Sequence, residues 1–278
     1  MLTEEDPLKE DPLKEDSLKE DSLKKDTLEV RRARIEALVA ALADAHVSVV
    51  WNAARELARF GTQAMSAVPA LEALLSAGDA TSVIWVRYAL TKITGDVQIS
   101  LPYAIAGLAD KQRVFPGMAS AALAGLGAEA APAVPALISE LSDKHPDNRW
   151  AAAGALANIG SAAAGAVPAL TQSLTDTDEK VRWYAAWALG EIGPASAPAV
   201  PALIDALYDA DDDVRGYAVR ALGKIGPAAL PAVPALQELE KSANREEENE
   251  FEENETVRAE VVTALERLLT AAHTLSCL

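Results

Sequence analysis

Residue types that carry catalysis are few in this chain and poorly placed, whereas those that carry recognition recur at regular positions. His46, His145 and His273 lie far apart, and none forms a His-Glu pair. Asp209, Asp211 and Asp213 imitate the start of a calcium loop, but Val214 stands where that loop needs glycine and Arg220 where it needs an acid. The single cysteine, Cys277, has no partner for an internal disulfide and no evident base to activate it. No glycine-rich phosphate loop is present, so no cofactor or metal is expected. The recognition residues are Trp51, Trp85, Trp150, Trp183 and Trp187, with Tyr88, Tyr184 and Tyr217, and the arginines Arg55, Arg87 and Arg220. Amphipathic aromatics and arginines are the residues from which interface hot spots are built.

Their spacing points to the elements that must hold them. Ala-Val-Pro-Ala-Leu recurs around Val68, Val134, Val167, Val200 and Val233, with Leu101-Pro102 at the missing step, a period of 33 residues. A fixed period in this range is the mark of stacked helical units that bury their apolar faces only against neighbours. Seven units follow, at 28–60, 61–93, 94–126, 127–159, 160–192, 193–225 and 226–268. In the unit 193–225, Gly193 ends one helix in a left-handed conformation. Pro198 and Pro201 then open helix A, where a proline costs little. Val200, Leu203, Ile204 and Leu207 form its buried face. An Asp of the turn Asp209–Asp213 caps helix B. Val214, Ala218, Ala221, Leu222 and Ile225 give helix B one apolar side. Numbered from the position of Val214, the tryptophans Trp51, Trp150 and Trp183 fall at i+2, Trp85, Tyr184 and Tyr217 at i+3, and Tyr88 and Trp187 at i+6. All are positions that the core pattern leaves free. They are either an exposed stripe or packing between units.

Three units depart from the pattern. The first opens with Asp26-Thr27-Leu28-Glu29, a cap. Pro116-Gly117 interrupts the third helix B and predicts the main bend of the array. The last is ten residues longer than the period and holds an acidic insertion at about 242–255, read as an exposed loop, and residues 269–278 are a terminal extension. Ahead of the array, residues 1–27 repeat Glu-Asp-(Pro/Ser)-Leu-Lys with a period of five. That step turns each leucine roughly 140° from the last, so no apolar stripe forms and a solvated, disordered tail is expected.

The motif Asp-Asp-Val-Arg-x-x-Ala-x-x-Ala-Leu-Gly-x-Ile-Gly, followed by Ala-Val-Pro-Ala-Leu, resembles the HEAT-like repeat of phycobilin lyase subunits and many bacterial scaffolds. The resemblance covers 28–268, strongly over 127–240 and weakly over 28–126. It implies an all-α, right-handed solenoid of about seven helix pairs whose helices B line the concave side. It further implies a ladder between turn aspartates and Arg149, Arg182, Arg215 and Arg258. The first three units have Val50, Val83 and Pro116 there instead. The His-Glu pairs of the di-iron HEAT hydroxylases are missing.

Charge narrows the function. The chain is 50% hydrophobic and carries a net charge of −17. An acidic chain without a basic stripe argues against nucleic acid, as in the HEAT-like DNA glycosylases. No apolar run long enough to predict a membrane span and no signal peptide is evident, and cytoplasmic residence is expected. Arg55, Arg59, Arg87, Lys92, Arg220 and Lys224, against Glu191, Glu260 and Glu266, predict a mildly basic inner face suited to an acidic or helical protein partner. Complementary charge makes the tail and the insertion candidates to fold back onto it. The expected function is a non-catalytic scaffold or adaptor gripping another protein. The alternative that the resemblance implies is a phycobilin-lyase-like subunit or chaperone holding a linear tetrapyrrole or its acceptor protein.

Overall fold

The structure, a computed structural model, describes the backbone of residues 28–77, 83–109, 116–246 and 253–276, and the side chains of slightly fewer. The tail at 1–27, residues 247–252, Cys277 and the side chains of Arg258 and His273 lie outside the described residues. Every regular element described is helical. In chain order these are α1 (Leu28–Ala41), α2 (Val47–Phe60), α3 (Val68–Ala77), α4 (Val83–Thr94), α5 (Leu101–Ala109), α6 (Pro116–Leu126), α7 (Val134–Glu140), α8 (Pro146–Ile159), α9 (Val167–Ser173), α10 (Glu179–Ile192), α11 (Val200–Ala206), α12 (Asp212–Ile225), α13 (Val233–Glu246) and α14 (Glu253–Ser276). Odd and even members pair into an all-α solenoid of seven units, each even helix being that unit's helix B.

Helix A is shorter than the sequence pattern suggests. In the sixth unit the chain leaves α10 at Gly193, runs through a 3₁₀ segment (Gly193–Ala199), and only then forms the seven-residue α11. Pro198 therefore sits inside the 3₁₀ turn, and Pro201 alone lies in the first turn of helix A. Gly193 has φ 73° and ψ −136°, a region reserved to glycine and distinct from the left-handed helical conformation expected there. Val200, Leu203 and Leu207 are buried, with Ile204 partly so. The carboxylates of Asp178 and Asp211 accept from the Val181 and Val214 backbone N–H groups at 3.2 and 3.0 Å, capping α10 and α12. In the last unit α13 continues to Glu246 and α14 starts at Glu253, so helix takes up much of the insertion expected to be a loop. α14 also runs through the residues set apart as a terminal extension.

Successive helices B pack against one another along their length, whereas helices A meet the next unit mainly through its 3₁₀ turn. Helices B thus form the closely packed side of the array, the side that the family resemblance makes the concave one. Small residues permit that approach. A Cβ on Gly190 would stand 3.1 Å from the Ala221 Cα, so α10 and α12 meet backbone to backbone. The core divides between the second and third units. One apolar cluster runs from Ile35 to Ile93 and another from Leu101 to Leu268, and Tyr88 packs against both.

The expected ladder forms over the middle units. Arg149 grips Asp176 with Nε and Nη2, both at 2.7 Å, and Arg182 grips Asp209 in the same way at 2.8 Å. Each arginine also donates to the backbone oxygen of its own turn: Arg149 to Asp143, Arg182 to Asp176 and Arg215 to Asp209. A chain of alternating guanidinium and aspartate links therefore ties turn to turn. Burial pushes the Asp176 and Asp209 carboxyls up, but the guanidinium bonds and the backbone N–H of Asp178 or Asp211 prevail and hold both below the usual carboxylate value. Arg215 ends the series, because Ser242 stands where the next aspartate would be, and it turns to Asp212 beside it.

Two stretches, 117–140 and 146–173, are long and apolar enough to meet a membrane-span criterion. Each is in fact a helix B and the following helix A joined by a 3₁₀ turn at a positive-φ glycine, Gly127 or Gly160. The apolar sides of both pairs are spent on stacking between units.

Candidate interaction surface

Side chains at i+2, i+3, i+6 and i+10 of helix B point away from the core stripe toward the concave side. The i+2 and i+3 positions of neighbouring units meet. Trp150 stacks on Tyr184 with ring centroids 5.3 Å apart, and Trp183 stacks on Tyr217 at 5.0 Å. Trp183 and Tyr184 are adjacent in sequence and stack at 3.7 Å, which joins the two pairs into one row: Trp150, Tyr184, Trp183, Tyr217. Trp187 leans against Tyr184 at 5.9 Å, and the Arg220 guanidinium covers the far side of Tyr217 at 5.0 Å. Gly154 is what lets Tyr184 lie flat on α8, because a Cβ there would stand 3.1 Å from its ring. Tyr184 is 6% exposed, while the tryptophans and Tyr217 remain half-buried. The row is thus packing between units and exposed surface at once.

Polar bonds fix its rim. The Trp150 Nε1 donates to Asp147 at 3.0 Å, and the Trp187 Nε1 to Glu191 at 2.8 Å. Lys224 reaches the same Glu191 oxygen at 2.5 Å. Arg220 forms an ion pair with Glu260. Burial pushes the Arg220 guanidinium pKa down, but the bond to Glu260, the Glu260 charge and Tyr217 together prevail and raise it. Arg220 and Lys224 are thus paired with Glu260 and Glu191, two of the acids set against them in the expectation of a mildly basic inner face.

The other residues singled out lie nearer the amino end. Arg55 rests over Trp85 at 5.2 Å, and Trp85 meets Tyr88 edge to face at 5.7 Å. Tyr88 reaches over Gly125, whose missing side chain makes the room. Trp51 is half-buried on α2, outside the row. Arg87 does not join the inner face. It donates to the Ile99 backbone oxygen at 3.1 Å and lies 4.3 Å over Tyr103 of α5, as a tie to the next helix A. Tyr103, Asp147 and the pairing role of Glu260 escaped the sequence reading. A signal existed: stacked partners are 34 residues apart, one more than the period, as in Trp150/Tyr184 and Trp183/Tyr217. Rungs between i+6 and the next i+3 are 30 apart, as in Arg55/Trp85, and 40 across the insertion, as in Arg220/Glu260. Among the described residues no three His, Cys, Asp or Glu side chains converge as a metal site.

Solved structures share this architecture. A crystallised engineered protein is 25% identical over 85% of this chain and 98% of its own, with a TM-score of 0.53. A designed armadillo repeat protein in complex with the peptide (KR)4 is 20% identical over 82% of this chain and 98% of its own, with a TM-score of 0.50. A chain of the complex of CpcE and CpcF of phycocyanin lyase from Nostoc sp. PCC7120 is 25% identical over 61% of this chain and 99% of its own, with a TM-score of 0.46. No curated protein sequence matches the chain. The family model of HEAT repeats matches residues 101–176 and 167–252, more than half of the chain and the very units that hold the ladder and the aromatic row, and the chain belongs to that family.

Proposed function

We propose that this HEAT-repeat array is a non-catalytic scaffold that holds another protein on the concave face of its helices B. The observation that carries the reading is the half-buried row Trp150–Tyr184–Trp183–Tyr217, with Trp187 beside it. Rings locked by their neighbours lose little entropy on binding, which is how aromatic anchors contribute affinity. Trp187 is the best anchor to test, because it borders the row without being sandwiched in it. A pull-down from native lysate would compare the wild type with Trp187→Ala, its fold checked by circular dichroism. A protein held by the wild type should lose roughly tenfold or more in affinity for the variant. Identical captured sets would refute the reading.

A linear tetrapyrrole is served less well by the same residues. It would need free ring faces and an unpaired arginine, whereas the rings of the row cover one another and Arg220 is engaged by Glu260. With the cations of this stretch paired, an acidic partner is not specially favoured, and an amphipathic helix or extended segment with apolar anchors suits the row.

A further inference from the structure

The two amino-terminal units differ electrically from the rest of the molecule. Residues 28–93 carry seven bases and six acids, net +1, whereas residues 94–278 carry thirteen bases and 26 acids, net −13. Arg32, Arg34 and Arg59 of these units pair with Glu36 or Glu56, but two of their concave cations differ from those further along. In the fourth to sixth units Arg149, Arg182, Arg215 and Arg220 each hold a carboxylate. On the concave side of the first two units, Arg55 rests on the Trp85 ring, and the exposed Lys92 reaches only the Gly125 backbone oxygen at 3.3 Å. No carboxylate is bonded to either among the described residues. These two cations sit beside the half-buried aromatics Trp51, Trp85 and Tyr88.

Joined directly to this end, at residue 28, is a segment of matching chemistry. Residues 1–27 carry ten acids and five lysines, net −5, with leucines at Leu8, Leu13, Leu18 and Leu23. We infer that this segment docks within its own chain on the concave face of the first two units, its carboxylates against Arg55 and Lys92 and its leucines against the neighbouring rings. Reach is no obstacle: 27 residues span at most about 90 Å, and two units of helices packed about 8–10 Å apart occupy a fraction of that. Affinity need not be high. A tethered segment meets its site at an effective concentration in the millimolar range, so a Kd of about 1 mM fills half the molecules. The docked segment covers the amino-terminal end of the inner face and leaves the Trp150–Tyr217 row open. The inference therefore stands or falls separately from the scaffold reading.

Zero-length carbodiimide crosslinking of the full chain, with peptide mapping, tests it. Lys92 is the only lysine in the first two units, and Lys144 and Lys180 are exposed lysines that the same tether can reach. The Lys224–Glu191 pair at 2.5 Å is a built-in positive control. At low ionic strength, where the Debye length is about 30 Å, links from acids of residues 4–21 should concentrate on Lys92 over Lys144 and Lys180. They should fall roughly fivefold in about 1 M salt, where that length is about 3 Å. Arg55→Gln should weaken the Lys92 links and leave the control unchanged. Formation of the control link without a preference for Lys92 overturns the inference. So do Lys92 links that join isotopically distinct copies in a mixture of labelled and unlabelled protein, since those would place the segment on a second molecule.

Discussion

Replacing Asp209 by Asn tests whether the turn-to-turn ladder holds the array together. The substitution keeps the shape of the side chain but removes its charge and one of two acceptor oxygens. Arg182 now binds that carboxylate through Nε and Nη2 at 2.8 Å, and the Asp211 backbone N–H donates to it at 2.9 Å. In the variant one guanidinium N–H group faces an amide N–H. The pair is 14–16% exposed, between a surface ion pair worth about 0–1 kcal/mol and a buried one that costs about 3–5 kcal/mol to break. A loss of about 2–3 kcal/mol follows. At roughly 2–4 °C per kcal/mol for a chain of this size, the thermal midpoint should drop by about 4–12 °C. Arg215→Met is the internal contrast. Its carboxylate partner, Asp212, is 63% exposed and belongs to the same turn, so the cost should stay near about 1 kcal/mol.

The assay is urea unfolding followed by circular dichroism, on the wild type, Asp209→Asn, Arg182→Met and the double variant. The cycle isolates the coupling between the two residues. A coupling of about 2 kcal/mol is expected, and one below about 0.5 kcal/mol would refute the ladder as a stacking element. Acid titration gives a second readout with a definite sign. Asp176 and Asp209 have carboxyls held below their ordinary value in the folded chain, so they bind fewer protons folded than unfolded. Their contribution is complete above the unfolded carboxylate pKa of about 3.9 and is lost as pH falls through the lower folded values. Below about pH 4 the wild type should therefore lose stability more steeply than Asp209→Asn.

Three further outcomes follow from the geometry. Gly190→Ala should cost about 1–3 kcal/mol, because the added Cβ meets the Ala221 backbone at 3.1 Å, whereas Gly165→Ala, with nothing within 4 Å, should be nearly neutral by the same urea assay. Tyr184→Ala removes the 6%-exposed central ring of the row, so it should cost about 3–5 kcal/mol and shift tryptophan emission to the red as Trp150 and Trp183 gain water; an unchanged spectrum would contradict the stacking. Iodide should quench wild-type tryptophan emission only in part, since all five tryptophans are half-buried, and complete protection would show the rings to be interior.

The division between what the sequence disclosed and what it hid follows the physics of the repeat. Helix pairing, unit boundaries and the arginine ladder are set by interactions that recur every 33 residues, so one unit read correctly gives its neighbours. The family resemblance implied the turn aspartates as partners of Arg149 and Arg182, and in the structure each partner stands 27 residues on. Other features leave no such trace, whether they recur or belong to one joint. The shortness of helix A depends on how a positive-φ glycine hands the chain to a 3₁₀ turn, and proline is tolerated in either element. Arg87 looked like its neighbours on the inner face, yet it bonds the Ile99 oxygen and lies over Tyr103 instead. The aromatic row combines both cases. Its 34-residue spacing was present in the sequence, but a tryptophan that stacks on the next unit and one that faces water occupy the same helical position. Only the Gly154 gap, which admits the Tyr184 ring, makes the row both interface and surface. Gly154→Ala should therefore disturb Tyr184 and Trp150 together while leaving the Trp183–Tyr217 stack in place. Tryptophan emission that does not shift in the variant would break the link between that gap and the surface.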